Sequence, residues 1–241
     1  MASEAKDVAN EIVGFKITNI WSTIVCLTLR PGQTIKRYYD GDKSGLIPPV
    51  GYYSMAMFLT YLLLSYSGYY NAAREQREKM NSQVTESIGK ATTDADKRDL
   101  EQAQKLLTVY KFVSEDLASN ETARYLVSLP LILLFRWLFF RKYGKGLKAN
   151  AWYCLYGMGH TGMLSALPLV TIWLVSRDIL TAGYLASLFF PMFFAYDVWA
   201  SMQFYGILLE TSILRCLLYY LAFFASAGFL AVTFLILYVF L

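Results

Sequence analysis

Thr28-Leu-Arg-Pro-Gly-Gln-Thr-Ile-Lys-Arg-Tyr-Tyr-Asp-Gly-Asp-Lys43 leads through Pro48-Pro49 into an apolar run from Val50 to Tyr69. This stretch decides the fold. It joins a basic, glycine-punctuated segment at a membrane surface to a first crossing. Arg30-Pro31-Gly32 stops any helix arriving from upstream, because proline has no N–H for the ladder and glycine tolerates a turn. Gln33 to Tyr39, carrying Lys36 and Arg37, fits a second short helix. Asp40 to Gly45 is turn-forming, and proline costs little in the first turn of the helix that follows. In that first span Tyr52, Tyr53, Tyr69 and Tyr70 gather at the ends, as an aromatic belt does. Tyr61 and Tyr66 are more internal and need hydrogen-bond partners or a path to the interface.

Working outward, composition sets the class. Of 241 residues, 56% are apolar, and these residues are clumped into runs. Such runs match a hydrocarbon core of about 30 Å. A mean hydropathy of +0.37 is too apolar for an ordinary soluble domain. Cys26, Cys154 and Cys216 are scattered, which excludes a disulfide scaffold and reads as small buried hydrophobes. The net charge of +4 is no nucleic-acid signature, because the basic residues sit in loops flanking the apolar runs. Residues 1–20 lack the basic and apolar regions of a signal peptide, so insertion is expected to depend on the spans themselves.

Upstream, Ile17 to Leu29 is too short to cross. Ile20, Trp21 and Ile24 form one apolar face, which predicts an interfacial helix on the cytoplasmic surface. Downstream, 71–122 is a polar excursion with eight lysines and arginines against ten acids. It reads as a helical hairpin, Ala72–Gly89 and Asp94–Leu117, that packs on itself, on the membrane or on a partner. Span two covers Arg124 to Phe140, with Pro130 expected to kink it and Arg136 placed to snorkel at its exit. Span three runs from Ala149 to Val175, where Gly157, Gly159 and Gly162 permit close helix approach or local unwinding. Span four runs from Ile179 to Phe204 and is broken at Pro191. Glu210 and Arg215 bracket a short loop, and span five covers Ile213 to Leu241.

The expected architecture is therefore all-α: a polytopic membrane bundle of about five transmembrane helices. Residues 1–48 form the cytoplasmic and interfacial segment. Residues 49–241 form the bundle, with 71–122 as its polar insert. Arg141 to Lys148 holds four basic residues and no acid. Placing it inside puts the N-terminus in the cytoplasm, the insert outside and the C-terminus outside. Span two is the weak link, since a re-entrant segment there would invert everything after it.

Arg136, His160 and Asp197 are ionisable residues within the spans. Such groups are costly in lipid and often functional. Asp197 reads as helix–helix glue or as an ion, proton or ligand site, with His160 or Arg136 as partner. His160 is the only histidine, so it cannot build a multi-histidine metal centre. It reads as a satisfied polar residue or as a proton or ligand contact. Arg30, Pro31, Gly32, Lys36, Arg37, Arg141, Lys142, Lys145 and Lys148 are candidates for contact with a partner or with lipid headgroups. No phosphate loop, nucleophile elbow, zinc helix or dinucleotide fingerprint is present, so no catalytic residue, cofactor or metal is expected.

Leu29 to Gly32, Ile35 to Tyr39, Gly41, Lys43 and Pro48, with Leu129-Pro130 through Arg136 and then His160, resemble an uncharacterised family of small bacterial inner-membrane proteins. That family is marked by an Arg-Pro-Gly segment before the first transmembrane helix. The resemblance implies a membrane fold and a bacterial inner-membrane setting, and supplies no catalytic roles. The expected function is that of a non-enzymatic accessory or scaffold component. It would contact membrane lipids, a partner membrane protein or further copies of itself, and no nucleic acid. The alternative is a small transporter or permease-like protein using Asp197 and His160.

Overall fold

A computed structural model describes residues 17–90, 121–143 and 145–240. All regular structure among them is helical: α1 (Ile17–Leu29), α2 (Pro31–Tyr39), α3 (Pro49–Tyr66), α4 (Tyr69–Lys90), α5 (Glu121–Phe140), a 3-10 turn (Arg141–Tyr143), α6 (Leu147–Ser176), α7 (Ile179–Ser187), α8 (Phe190–Tyr205) and α9 (Leu209–Phe240). The expected second helix of the insert, Asp94–Leu117, lies outside the described residues.

By length and composition, Leu147–Ser176, Ile179–Tyr205 and Leu209–Ser226 can each cross a membrane. A helix suits lipid because it satisfies its own backbone polar groups. Among the described residues the chain is thus all-helical, with three helices long and apolar enough to cross a membrane, as an integral membrane protein has. Helix α3 is 18 residues long, but its four tyrosines temper its apolarity.

The described residues fall into two compact units. One contains the described residues of 17–69 and 133–220; the other contains those of 70–132 and 221–240. In the second unit, α4 carries ion pairs one turn apart, Arg74 with Glu78 and Lys90 with Glu86.

In the first unit, α3 and α6 run side by side in the same direction. Gly159 makes this possible: a Cβ there would lie 3.2 Å from Tyr53 Cα and 3.4 Å from Ala56 Cβ. At the far end Trp173 Nε1 donates to Ser67 O at 3.0 Å. Helix α8 runs the opposite way and α2 docks on it. The docking explains the Arg-Pro-Gly sequence. Pro31 takes the first helical position, where its missing N–H is harmless. Gly32 then lies flush on α8, for a Cβ would come within 2.0 Å of Ala200 O. Gln203 Oε1 accepts from the Gly32 and Gln33 amides, at 3.1 and 3.3 Å. Two amides orphaned at the start of α2 are thereby satisfied.

Several expectations are corrected. Trp21 is 72% exposed, while Thr23 and Leu27 are buried. The inward face of α1 is therefore set by Thr23, whose hydroxyl donates to Asn19 O at 2.7 Å and accepts from Ile47 N–H at 2.9 Å. Tyr52 and Tyr53 are buried packing residues rather than a belt, whereas Tyr61 and Tyr66 face outward. Helix α3 ends at Tyr66, and Gly68 (φ 78°) turns the chain into α4. Span four breaks just before Pro191, at the Leu188–Phe189 turn between α7 and α8. Glu210 and Arg215 bracket no loop: Gly206 (φ 66°) ends α8, and both residues lie inside α9.

Candidate functional site

Arg136 is 2% exposed, so the snorkelling expected of it does not occur. Its guanidinium is held by protein on every side. Nη1 donates to Asp197 Oδ1 and Oδ2 at 3.1 and 3.0 Å, Nη2 donates to Ser201 Oγ, and Nε reaches Tyr205 Oη at 3.4 Å. The rings of Tyr153 and Phe140 lie 3.9 and 4.2 Å from Cζ. A desolvated cation over an aromatic face gains about 2 kcal/mol. These contacts replace water, which is why a charge can remain at this depth.

Asp197 is equally committed. Besides Arg136, its Oδ1 accepts from Tyr153 Oη at 2.6 Å. The Tyr153 hydroxyl also lies 3.0 Å from Ser201 Oγ. Ser201 Oγ in turn donates to the Asp197 carbonyl at 2.6 Å. Tyr205 Oη donates to Asn150 Oδ1 at 2.6 Å, and Asn150 Nδ2 donates to Gly146 O at 2.9 Å. The network thus links α5, α6 and α8 and extends to the first turn of α6.

His160 does not join this network. It is fully buried two turns along α6. Its Nδ1 lies 2.7 Å from Tyr52 Oη, and its Nε2 lies 3.2 Å from Thr28 Oγ1. Its ring stacks on Tyr196 at 5.6 Å, and Tyr196 Oη donates to Leu27 O at 2.9 Å. His160 therefore ties α1, α3 and α8 to α6. Between the two clusters Tyr156 donates its hydroxyl to Ile47 O.

A family model described as "Protein of unknown function (DUF3667)" matches residues 18–61. The chain is similar to an uncharacterised family over that stretch. It spans most of α1, all of α2, the following loop and most of α3, and so contains Gly32, Thr28 and Tyr52. No curated protein and no solved structure matches the chain. The match agrees with a resemblance to an uncharacterised family and brings no activity with it.

The basic candidates gather at one end of the first unit. Lys36 pairs with Asp40, and Arg37 with Asp42 at 3.3 Å. The hydrogen bond from Lys36 holds the Asp40 carboxyl below its ordinary range, and hydrogen bonds from Ser44 do the same for Asp42. Lys145 Nζ lies over Tyr39 at 5.1 Å, and Lys148 Nζ over Trp152 at 4.8 Å. Arg141 lies over Trp137 and Lys142 over Tyr143. Arg30 is exposed, while its carbonyl accepts from Thr34 Oγ1 at 2.8 Å. Within Arg-Pro-Gly, Pro31 and Gly32 thus serve packing.

Tyr153, Ser201, Tyr205 and Asn150 were not among the residues expected at the site. One signal was available: Asp197, Ser201 and Tyr205 recur every four residues along a largely apolar helix, and so share a face.

Proposed function

We propose that this protein is a non-enzymatic accessory or scaffold component of a bacterial inner membrane. In this reading five helices cross, with the N-terminus cytoplasmic and the C-terminus outside. The end bearing α2 and the Lys145–Lys148 segment meets a partner protein or lipid.

One observation carries the proposal. The charges of Arg136 and Asp197 are consumed by each other and by Tyr153, Ser201 and Tyr205. Both ring nitrogens of His160 also face protein hydroxyls. A transport or acid–base site needs a group that can exchange its partner for substrate, ion or water. These groups instead join helices, which is the work of a rigid platform.

The test is purification of the full chain in mild detergent, followed by reconstitution. The expected result is a second protein, or further copies of this chain, at fixed stoichiometry. An ion or solute flux in proteoliposomes would overturn the proposal if a folded Asp197→Asn variant abolished it.

A further inference from the structure

Glu210 and Arg215 lie in the first two turns of α9. Among the described residues neither has an ion-pair partner. Glu210 is exposed. Arg215 is half-buried, and its Nε is shut away from solvent with no hydrogen-bond partner. A cation in this condition is costly on a helix apolar enough to cross a membrane. At about 100° per residue the two side chains stand about 140° apart around α9, so they do not meet within one chain.

The stripe between them is apolar and faces away from the protein. Ser212, Cys216 and Tyr219 form the inward face of α9. Ser212 Oγ donates to Val198 O at 2.7 Å, Cys216 Sγ lies 3.4 Å from Ser201 Oγ, and Arg136 Cζ lies 5.6 Å from the Tyr219 ring centre. On the other side Leu214 is 54% exposed and Leu218 37%, with Thr211 half-buried beside them. Thr211, Leu214 and Leu218 follow one another at three and then four residues, the spacing of a and d positions in a heptad. Glu210 then takes position g and Arg215 the following e, which is the pairing made between the two helices of a parallel coiled coil. In the sequence the same spacing runs on through Leu221 and Ala225.

We infer that this face of α9 binds the same face of a second copy of the chain, with Glu210 of each copy paired to Arg215 of the other.

The charges select the occupant, since hydrocarbon would cover the leucines equally well. A lipid phosphate would suit Arg215 and repel Glu210. A second copy related by a two-fold axis along the membrane normal gives each charge its opposite at once. Copies inserted the same way bring their α9 helices together in parallel. Arg215 lies about 7.5 Å further along the axis than Glu210. Long side chains in a helix lean toward its N-terminus, which brings the guanidinium back toward the level of the second copy's Glu210.

The inference rests on the accessory-component reading and names its partner. The test uses the full chain lacking Cys26, Cys154 and Cys216, oxidised in native membranes and followed by the rate of cross-linked dimer formation. Leu214→Cys is expected to cross-link, and Leu167→Cys, at an exposed position on α6, is not. In the Leu214→Cys chain, Glu210→Arg or Arg215→Glu alone is expected to slow cross-linking about tenfold or more, through like charges set face to face. Glu210→Arg/Arg215→Glu should restore it. Co-expressing the Glu210→Arg copy with the Arg215→Glu copy should also yield a mixed dimer, a result that a folding defect does not give. Glu210→Gln/Arg215→Gln, which creates no repulsion, should melt as wild type does and cross-link more slowly.

The inference is overturned if Leu214→Cys cross-links no faster than Leu167→Cys, if the Gln pair cross-links as fast as the parent, or if neither the swapped chain nor the mixed pair recovers. Native mass spectrometry of wild type separates this from the wider reading. One copy carrying a different protein, or one copy carrying acidic lipid, overturns the dimer and leaves the accessory reading standing. A flux abolished in folded Asp197→Asn overturns the accessory reading whatever α9 does.

Discussion

Arg136 Nη1 stands 3.1 and 3.0 Å from the two carboxylate oxygens of Asp197, joining α5 to α8 inside the first unit. A buried pair of this kind is weak as a source of net stability, because both ions lost their water to form it. Removing one partner is different, since the survivor keeps the desolvation cost and loses the attraction. Asp197→Ala should therefore destabilise the protein by about 3–5 kcal/mol. Arg136→Met/Asp197→Leu should recover most of that loss, since no charge is then left unpaired. Chemical denaturation in detergent, comparing the two variants with wild type, checks both values. A double variant no better than Asp197→Ala would mean that the hydroxyl network, and not the charge pair, holds the helices.

Gly32 has no room for a side chain, because Ala200 O would lie 2.0 Å from its Cβ. The obstacle is backbone, which cannot rotate aside. Gly32→Ala should force α2 off α8 and cost about 1–3 kcal/mol or more. Gln203→Ala should cost about 1 kcal/mol, through the two amides its Oε1 accepts. Arg30→Gln, at an exposed position, should stay within about 0.5 kcal/mol of wild type. Thermal melting of the three variants gives the order, and a large loss in Arg30→Gln would move the importance of the motif from packing to charge.

The parts of the fold legible in the sequence are those set by periodicity and backbone chemistry. Arg30-Pro31-Gly32 marked the end of α1, and Pro191 marked the break in span four to within a few residues. Partner choice was less legible. Proximity to a basic loop made Arg136 look like an interfacial residue, because distance along the chain does not reveal which face of α5 meets α8. Asp197 had two plausible partners in the sequence. Tertiary packing settles the choice by setting Tyr52 and Thr28, from segments over a hundred residues away, against His160. Tyr52 and Tyr53 fitted an aromatic belt by position, yet Gly159 draws α6 against that end of α3 and buries them.

Asp178 starts α7 by accepting from Leu180 N–H at 3.3 Å, Thr181 N–H at 3.0 Å, and the Thr181 hydroxyl. The hydrogen bonds from Thr181 hold its carboxyl below the ordinary range. The folded-state pKa lies below the unfolded one, so the ionised cap contributes its full stability above about pH 4. The contribution fades as the pH falls through the folded-state value. Asp178→Asn keeps a capping oxygen but cannot titrate. Melting curves should show wild type ahead near neutral pH and the gap closing in acid. A gap independent of pH would show that the carboxylate charge is not what the cap uses.

The order of the helices within the first unit makes the crossing of α3 testable. Lys145 lies 5.1 Å from the Tyr39 ring, so the loop before α3 and the segment before α6 share one end. Helix α3 then runs from Pro49 to Tyr66, about 27 Å at 1.5 Å per residue. It reaches Ser67, which accepts from Trp173 near the opposite end of α6. If α6 crosses, as its length and apolarity allow, its parallel neighbour delivers the chain to the far side. Met80 should then be in the opposite compartment from Lys142. Single cysteines at these positions, in a background lacking Cys26, Cys154 and Cys216, would be labelled with an impermeant maleimide on intact and on permeabilised cells. Labelling of one position before permeabilisation and of the other only after it is the expected result. Equal labelling of both in intact cells would mean that α3 enters and leaves by the same face, and the five-span arrangement would fall with it.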